Sequence, residues 1–205
     1  MKKIETIWHY LLFSALEKGI FKHTQLELAQ KFGYSISTVH HALEASGRMG
    51  AIRKESKFFV LSDFSKLLYY WASVRNIESD ILYMTNVTQD IKQIEGLVPP
   101  HSIYAGYSAA QKILTEPPAD YGKVYIYLLP KDCRDAKTRF PPAGRKVRDS
   151  NVFVLRLHPA MLVFGKQTTL PQTFVDIWNL KDWYSRDFIR ALATRMEEVR
   201  HGILS

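Results

Sequence analysis

The sequence predicts an α+β protein, in which a small helical N-terminal domain precedes a larger α/β domain. Between residues 24 and 61, two short helical patterns are followed by two β-rich runs. Beyond residue 80, β-rich runs are interleaved with amphipathic helical patterns, which indicates an α+β or α/β domain. The chain has 205 residues, 46% of them hydrophobic, which is enough for one large or two small domains.

The first expected element is a helix over residues 4–18. Its apolar residues recur at helical spacing, and Gly19 follows as a stop signal. These apolar residues are Ile4, Ile7, Trp8, Leu11, Leu12, Ala15 and Leu16. We expect Trp8 to lie in the core.

The next stretch predicts two short helices joined by a tight turn. Thr24 and Glu27 have the spacing of a capping box. Gly33 stands where a left-handed residue often ends a helix, and Ser35 is an N-cap candidate for the second helix. Gly50 ends that helix. Its inner positions are Val39, Ala42, Leu43 and Met49.

Two β-rich runs follow, at Ile52 and over residues 58–61, with residues 55–57 as the tip of a hairpin. Two helices, a turn and a hairpin form a winged helix-turn-helix, the motif of many DNA-binding proteins. We therefore expect double-stranded DNA as a partner. We assign residues 1–62 to this domain, 63–79 to a linker helix and 80–205 to the second domain.

In this motif the second helix enters the major groove, and its N-terminal residues meet base edges. Hydroxyl and imidazole groups on its outer face are therefore the expected contacts to bases and phosphates. The candidate DNA-binding residues on the helix are Ser35, Ser37, Thr38, His40 and His41, with Glu44 on the same face. On the hairpin, Arg53, Lys54 and Lys57 would bind the phosphate backbone independently of base sequence. The alternative is a winged helix that contacts only proteins.

The composition fits a polyanionic partner and a cytoplasmic protein. The formal net charge is +8, and the sequence pI is about 9.5. Cys133 is the only cysteine, so no intramolecular disulfide is possible, which suits a reducing compartment. We expect no signal peptide, and no apolar run approaches the roughly 20 residues of a membrane span. No metal-ligand pattern is evident, and we expect no cofactor.

The segment 63–79 begins with a capping residue and is apolar on nearly every side. Such a helix either packs between two domains or contacts a second copy in a homodimer. Beyond it we expect strands at 81–84, 102–105, 123–129, 151–157 and 161–164. We expect helices from Thr88 to residue 97, from 106 to 114, at 133–140, from Leu170, and after a cap at Asp182.

A strand followed by Gly-x-Ser, a helix and another strand is how nucleotidyltransferase-type domains begin. Gly106 and Ser108 stand where such a domain holds nucleotide phosphates. The next strand should then carry two carboxylates one residue apart, to hold two metal ions. Tyr125 and Tyr127 occupy those alternating positions instead. We therefore predict a similar scaffold with no catalytic residues, while Gly106 and Ser108 as a simple turn and N-cap remain the alternative.

A second basic region lies outside the winged helix. Residues 96–150 carry nine Lys and Arg against five Asp and Glu, a net charge of +4. Within it, Arg145, Lys146 and Arg148 form either a second nucleic-acid contact or a solvated loop.

Two parts of the sequence each resemble a known protein family. Residues 24–61 resemble the winged helix of bacterial and archaeal transcription regulators. The remainder resembles archaeal AbiEi-type antitoxin regulators of abortive-infection systems. The phrases that carry this second resemblance are LLYYWASVRNI, YAGYSAAQKIL, KVYIYLLP, LPQTFVDIWNL and DWYSRDFIRAL.

The resemblance implies a protein that represses its own promoter and whose nucleotidyltransferase-like domain opposes a cognate toxin, itself a nucleotidyltransferase encoded alongside. Two alternatives remain: a nucleotidyltransferase-fold enzyme acting on nucleic acid, and a regulator that binds a small ligand in its C-terminal domain.

Overall fold

A computed structural model describes residues 1–142 and 150–204 of the chain. The chain is a mixture of helices and strands, as the predicted α+β class requires. It divides into two compact units. The first contains Met1–Arg75 together with the residues from Arg195 onward, and the second contains Asn76–Thr194.

The first unit contains four helices and a small sheet within Met1–Arg75. Its elements are α1 (Lys3–Lys18), β1 (Lys22–His23), α2 (Gln25–Phe32), α3 (Ile36–Arg48), β2 (Ile52–Lys54), β3 (Phe59–Leu61) and α4 (Phe64–Val74). The sheet order is β1-β3-β2, and both pairings are antiparallel. Strand β1 was not predicted, because two residues are too few to show an alternating pattern.

The helix boundaries follow from the capping chemistry of the sequence. The Thr24 hydroxyl accepts a hydrogen bond from the Glu27 N–H at 3.1 Å, and Ser35 does the same for the Thr38 N–H at 3.1 Å. Gly19 and Gly33 end α1 and α2 in the left-handed conformation, with φ of 66° and 61°. These predicted starts and stops are confirmed.

Trp8 lies in the core of the first unit, as predicted, with 2% of its surface exposed. Its indole N–H donates a hydrogen bond to the Ala42 carbonyl at 2.8 Å, which joins α1 to α3. Leu11 and Leu12 on α1 and Leu43 on α3 are fully buried. A polar indole group with a buried partner costs little to bury, so the contact fixes α3 on α1.

The expected domain boundaries need correction, because α4 packs within the first unit instead of linking two domains. Leu67 and Trp71 of α4 are fully buried, and Trp71 donates a hydrogen bond to the buried Glu5 of α1 at 3.2 Å. The residues from Arg195 onward also belong to this unit, where the Arg200 guanidinium lies 5.7 Å from the Phe64 ring centre. Neither long-range contact can be inferred from local sequence.

The second unit is built on a four-stranded mixed sheet. Its elements are β4 (Ile81–Thr85), α5 (Ile91–Leu97), β5 (Ile103–Ala105), α6 (Gly106–Ile113), β6 (Val124–Leu128), α7 (Cys133–Arg139), β7 (Val152–Arg156), α8 (Leu170–Trp178) and α9 (Ser185–Leu204, which continues into the first unit). The sheet order is β4-β7-β6-β5. Strands β6 and β7 are parallel, whereas the outer pairings are antiparallel.

One face of this sheet forms an apolar core. Val124, Ile126 and Leu128 of β6 are fully buried, and Ile94 and Phe140 pack in the same cluster. The alternate residues of β6 are buried as well. A strand that is buried on both faces reads as a continuous apolar run, which is why KVYIYLL could be recognised in the sequence.

Three local expectations in this unit are wrong. Helix α5 starts after Asp90 instead of Thr88, because Asp90 and Gln93 form a reciprocal capping box. The apolar run at 161–164 belongs to a 3₁₀ helix, Pro159–Phe164, which Pro159 opens. Helix α9 begins at Ser185, and the carboxylate of Asp182 binds side chains elsewhere instead of capping it.

Within the described part of the chain, none of the helices has the length and apolar character that a membrane span requires.

Candidate nucleic-acid interface

The N-terminal half of α3 presents a polar, exposed face. Ser35 and Ser37 are exposed, Thr38 is half-buried, and His40 and His41 are exposed. Val39, between Thr38 and His40, and Ala42, after His41, are fully buried. The alternation follows from helical periodicity, and the predicted inner positions Val39, Ala42 and Leu43 are confirmed. The prediction is wrong for Met49, which is half-buried and caps the end of α3 at Arg48, before the expected stop at Gly50.

The side chains of Ser35 and Thr38 also hydrogen-bond to each other. Their hydroxyl oxygens lie 2.9 Å apart, and the Ser35 oxygen in addition accepts the Thr38 N–H. Part of their hydrogen-bonding capacity is therefore used at the start of α3. Ser37, His40 and His41 are the polar side chains on this face with the most freedom to contact another molecule.

Further along α3, Glu44 lies close to two other side chains of the polar face. The Glu44 carboxylate lies 3.6 Å from His41 Nδ1 and 3.8 Å from Arg48 Nη1. All three side chains are about half exposed or more, so water screens these pairs and they hold the side chains only weakly. A phosphate could compete with Glu44 for Arg48 at little cost.

The hairpin of β2 and β3 places three basic side chains in solvent. In its register Ile52 faces Leu61, and Lys54 faces Phe59. Ile52 and Phe59 are buried, whereas Arg53, Lys54 and Lys57 are exposed. The Glu55 N–H donates to the Phe58 carbonyl at 2.8 Å and closes the hairpin tip.

Arg53 is partly neutralised within the hairpin. Its Nε lies 3.1 Å from Glu55 Oε1, and both side chains are exposed. Such an exposed pair is worth little, so Arg53 remains available to a stronger anion such as phosphate. Lys54 and Lys57 add two more positive charges to the same hairpin.

An open groove of about 300 Å³ lies between the hairpin and the starts of α2 and α3. Two of the residues that line it, Leu26 and Ile36, were not predicted from the sequence, and their side chains are 55% and 52% exposed. Lys54 and Lys57 line the same groove. Ile36 stands three and seven residues before the buried Val39 and Leu43, so helical spacing predicts a buried residue there, and the sequence carries no signal of its exposure.

In the second unit, Gly106 forms the turn from β5 into α6. It has φ of +53°, and a Cβ there would lie 3.2 Å from Cδ2 of Tyr125. The residue that precedes the helix is Ala105, so Ser108 is not the N-cap that the alternative assignment proposed. Ser108 lies within α6 and is 1% exposed.

The strand that follows α6 carries tyrosines at the two alternating positions that were compared with a carboxylate pair in the sequence. Tyr125 and Tyr127 of β6 are both buried. The Tyr127 hydroxyl lies 3.0 Å and 2.9 Å from the two carboxylate oxygens of Asp176, and the Gln172 amide donates to that carboxylate at 2.9 Å. This buried cluster joins α8 to the sheet.

A second polar cluster surrounds Tyr107. Its hydroxyl donates to Asp182 Oδ2 at 2.9 Å and lies 2.6 Å from the Ser185 hydroxyl. The Lys123 ammonium binds the other oxygen of Asp182 at 2.5 Å. Burial raises the pKa of the Tyr107 phenol, and the Asp182 charge raises it further. The phenol therefore stays protonated and acts as a structural donor.

The predicted second nucleic-acid contact, Arg145, Lys146 and Arg148, lies outside the residues that the structure describes. Over the described ranges, no group of three or more His, Cys, Asp and Glu side chains is arranged to hold a metal ion.

No family model matches the chain, and no curated protein or solved structure matches it either. The resemblance to AbiEi-type antitoxins therefore stays a prediction.

Proposed function

We propose that the first unit is a winged helix-turn-helix that binds double-stranded DNA, and that the protein is a transcription regulator. The observation that carries this proposal is the pairing of an exposed polar helix face with an exposed basic hairpin. Ser37, His40 and His41 stand on α3, while Lys54 and Lys57 stand on the hairpin beside its N-terminus. A helix that contacts bases in the major groove needs polar side chains on its outer face, and binding to the DNA phosphates needs cationic side chains.

The alternative of a purely protein-binding winged helix is less well supported by the chemistry of this face. Protein interfaces are depleted of lysine at their centres and enriched in aromatic residues. The α3 face and the hairpin, both inside the described range 1–142, carry lysine, serine, histidine and glutamate and no exposed aromatic ring, although Leu26 and Ile36 lie exposed beside them. The overall charge of +8 favours a polyanion in the same way.

We propose that the second unit acts by contact and not by catalysis, as an antitoxin of the AbiEi type whose partner is a cognate toxin. Two features support this. The resemblance of residues 66–193 to such antitoxins is one. The other is the identity of Tyr125 and Tyr127, which occupy the positions of a metal-binding carboxylate pair and lie buried in the sheet.

The test of DNA binding is a footprint on the DNA upstream of the operon that encodes this chain. We expect a protected segment with the wild-type protein. A variant with Ser37, His40 and His41 all changed to Ala should lose that footprint but retain weak binding to unrelated DNA, because the hairpin cations remain. The matched control changes Ser79, His101 and His201, which are also exposed, to Ala. No footprint, or an unchanged footprint with the helix variant, would refute the proposal.

The antitoxin role has its own test. The product of the neighbouring gene is expressed with and without this chain, and growth is recorded. Restored growth with both the wild-type protein and the helix variant would show that the second unit neutralises the toxin without DNA binding. A neighbouring product that is not toxic, or toxicity that this chain leaves unchanged, would argue against an antitoxin.

A further inference from the structure

The groove beside the N-terminus of α3 is apolar on one side and basic on the other. Leu26 and Ile36 supply the apolar side, with about half of each side chain exposed. Lys54 and Lys57 supply the basic side, which also contains Glu55, whose carboxylate is paired with Arg53. A single exposed aliphatic side chain is common on protein surfaces. Two that line the same groove on a polar face are less common and suggest a binding site.

Ile36 is the first residue of α3, between Ser35 and Ser37. The neighbouring hydroxyls of Ser35 and Thr38 are engaged with each other, which limits what they can read. In the helix-turn-helix geometry, the first residues of the second helix meet the base edges. At this point Ile36 therefore offers a base an exposed apolar side chain beside the exposed Ser37.

Among the base-pair edges in the major groove, only the thymine C5-methyl group offers an apolar contact. Phosphates border the DNA major groove. The lysines on the other side of the protein groove could therefore bind a phosphate while Ile36 meets a base. We infer that Ile36 reads a thymine methyl group, so that the operator carries a thymine at one fixed position in each binding site. The inference rests on the proposed function and adds the class of base that α3 selects.

The competing occupant of this groove is a protein. An aliphatic patch with two lysines would also fit an acidic segment that carries an apolar anchor. DNA is favoured, because Ile36 belongs to the same helix end as the exposed Ser37 and His40, and base edges in the major groove offer those two side chains hydrogen-bonding partners beside the thymine methyl group.

The test removes only the methyl group. Thymine is replaced by uracil at each position of the footprinted duplex in turn, and affinity is measured by fluorescence anisotropy. At one thymine per binding site we expect wild-type affinity to fall about fourfold, the effect of losing one buried methyl group. The variant Ile36→Ala should bind the thymine and uracil duplexes equally. Leu162→Ala, which truncates a similarly exposed leucine (54%) in the second unit, should keep the wild-type difference.

The outcomes separate the two claims. Specific binding with no position sensitive to uracil, or sensitivity that persists in Ile36→Ala, would overturn the role of Ile36 and leave the regulator proposal standing. Failure of the wild-type protein to bind any upstream DNA would overturn both. Circular dichroism of Ile36→Ala should match the wild type, because the side chain is half exposed and alanine favours the helix.

Discussion

Glu5 and Arg75 form an ion pair in the core of the first unit, with 3.4 Å between Oε2 and Nη1 and no more than 5% of either side chain exposed. Glu5 also accepts hydrogen bonds from the Trp71 indole and from the Lys2 N–H. The carboxylate therefore joins the start of α1 to the end of α4. This pair adds to the buried packing of Leu67 and Trp71, which also holds α4 in the first unit.

Breaking this pair should destabilise the protein strongly. Arg75→Met leaves the Glu5 carboxylate buried without its cation, and we expect a loss of about 3–5 kcal/mol in the free energy of unfolding. The control is Arg195→Met, which breaks an exposed pair with Glu198 and should cost less than about 1 kcal/mol. Urea unfolding measures both. Equal losses would contradict the importance of the buried pair.

His9 should make the stability depend on pH. Its side chain is fully buried against Trp71, with 5.5 Å between ring centres, and burial lowers the pKa of His9 to about 3. The unfolded chain takes up this proton near pH 6.5, whereas the folded chain does not until about pH 3. Stability should therefore fall as the pH drops below 6.5, by up to about 1.4 kcal/mol per pH unit.

The variant His9→Phe keeps a ring against Trp71 and removes the titrating group. Its stability should decline less steeply than that of the wild type between pH 7 and pH 5, by about 2 kcal/mol in total. A wild-type slope in His9→Phe would show that other groups account for the pH dependence.

Ser35 should have separable effects on folding and on DNA binding. Ser35→Ala removes the cap of α3 and should cost about 1 kcal/mol. Ser35→Asp retains a capping oxygen, so stability should recover, but its charge would repel phosphate and weaken DNA binding. Ser37→Ala, at a non-capping position, controls for stability. Thermal melting and anisotropy test these expectations, and full DNA affinity in Ser35→Asp would place the α3 N-terminus away from DNA.

Two glycines should respond oppositely to alanine. Gly106→Ala puts an alanine in a left-handed backbone conformation and places its Cβ 3.2 Å from Cδ2 of Tyr125. We expect the change to cost at least about 1–2 kcal/mol in the free energy of unfolding. Gly96 lies inside α5, and a Cβ there would meet no atom within 4 Å. Gly96→Ala should therefore stabilise the protein by up to about 1 kcal/mol. The same sign for both changes in a melting experiment would contradict the turn geometry.

Much of the fold could be predicted, because its signals are local. Caps at Thr24 and Ser35, stops at Gly19 and Gly33, and the apolar run of β6 each depend on neighbouring residues alone. The outer face of α3 follows from the same periodicity. These features fix the candidate interface without any knowledge of tertiary contacts.

The incorrect or missing parts depend on distant partners. Asp182 looked like a helix cap, but Tyr107 and Lys123, far away in the sequence, hold its carboxylate. The membership of α4 in the first unit depends on contacts with α1 that are distant in the sequence, such as those of Trp71 and Arg75 with Glu5. The significance of Ile36 was missed because exposure of an apolar residue is visible only once the helix is placed.

The central claim is that the hairpin and α3 hold DNA, and its most direct test is the salt dependence of binding to the upstream duplex. The triple variant of Arg53, Lys54 and Lys57 to Ala is compared with a control that changes the exposed Lys92, Lys131 and Arg134 of the second unit to Ala. Both variants lose three positive charges. The hairpin variant should bind every DNA sequence more weakly, and its plot of log K against log salt should be shallower by up to about 2.7, or about 0.9 for each phosphate that the hairpin no longer neutralises. A slope and affinity equal to those of the control variant would contradict the account.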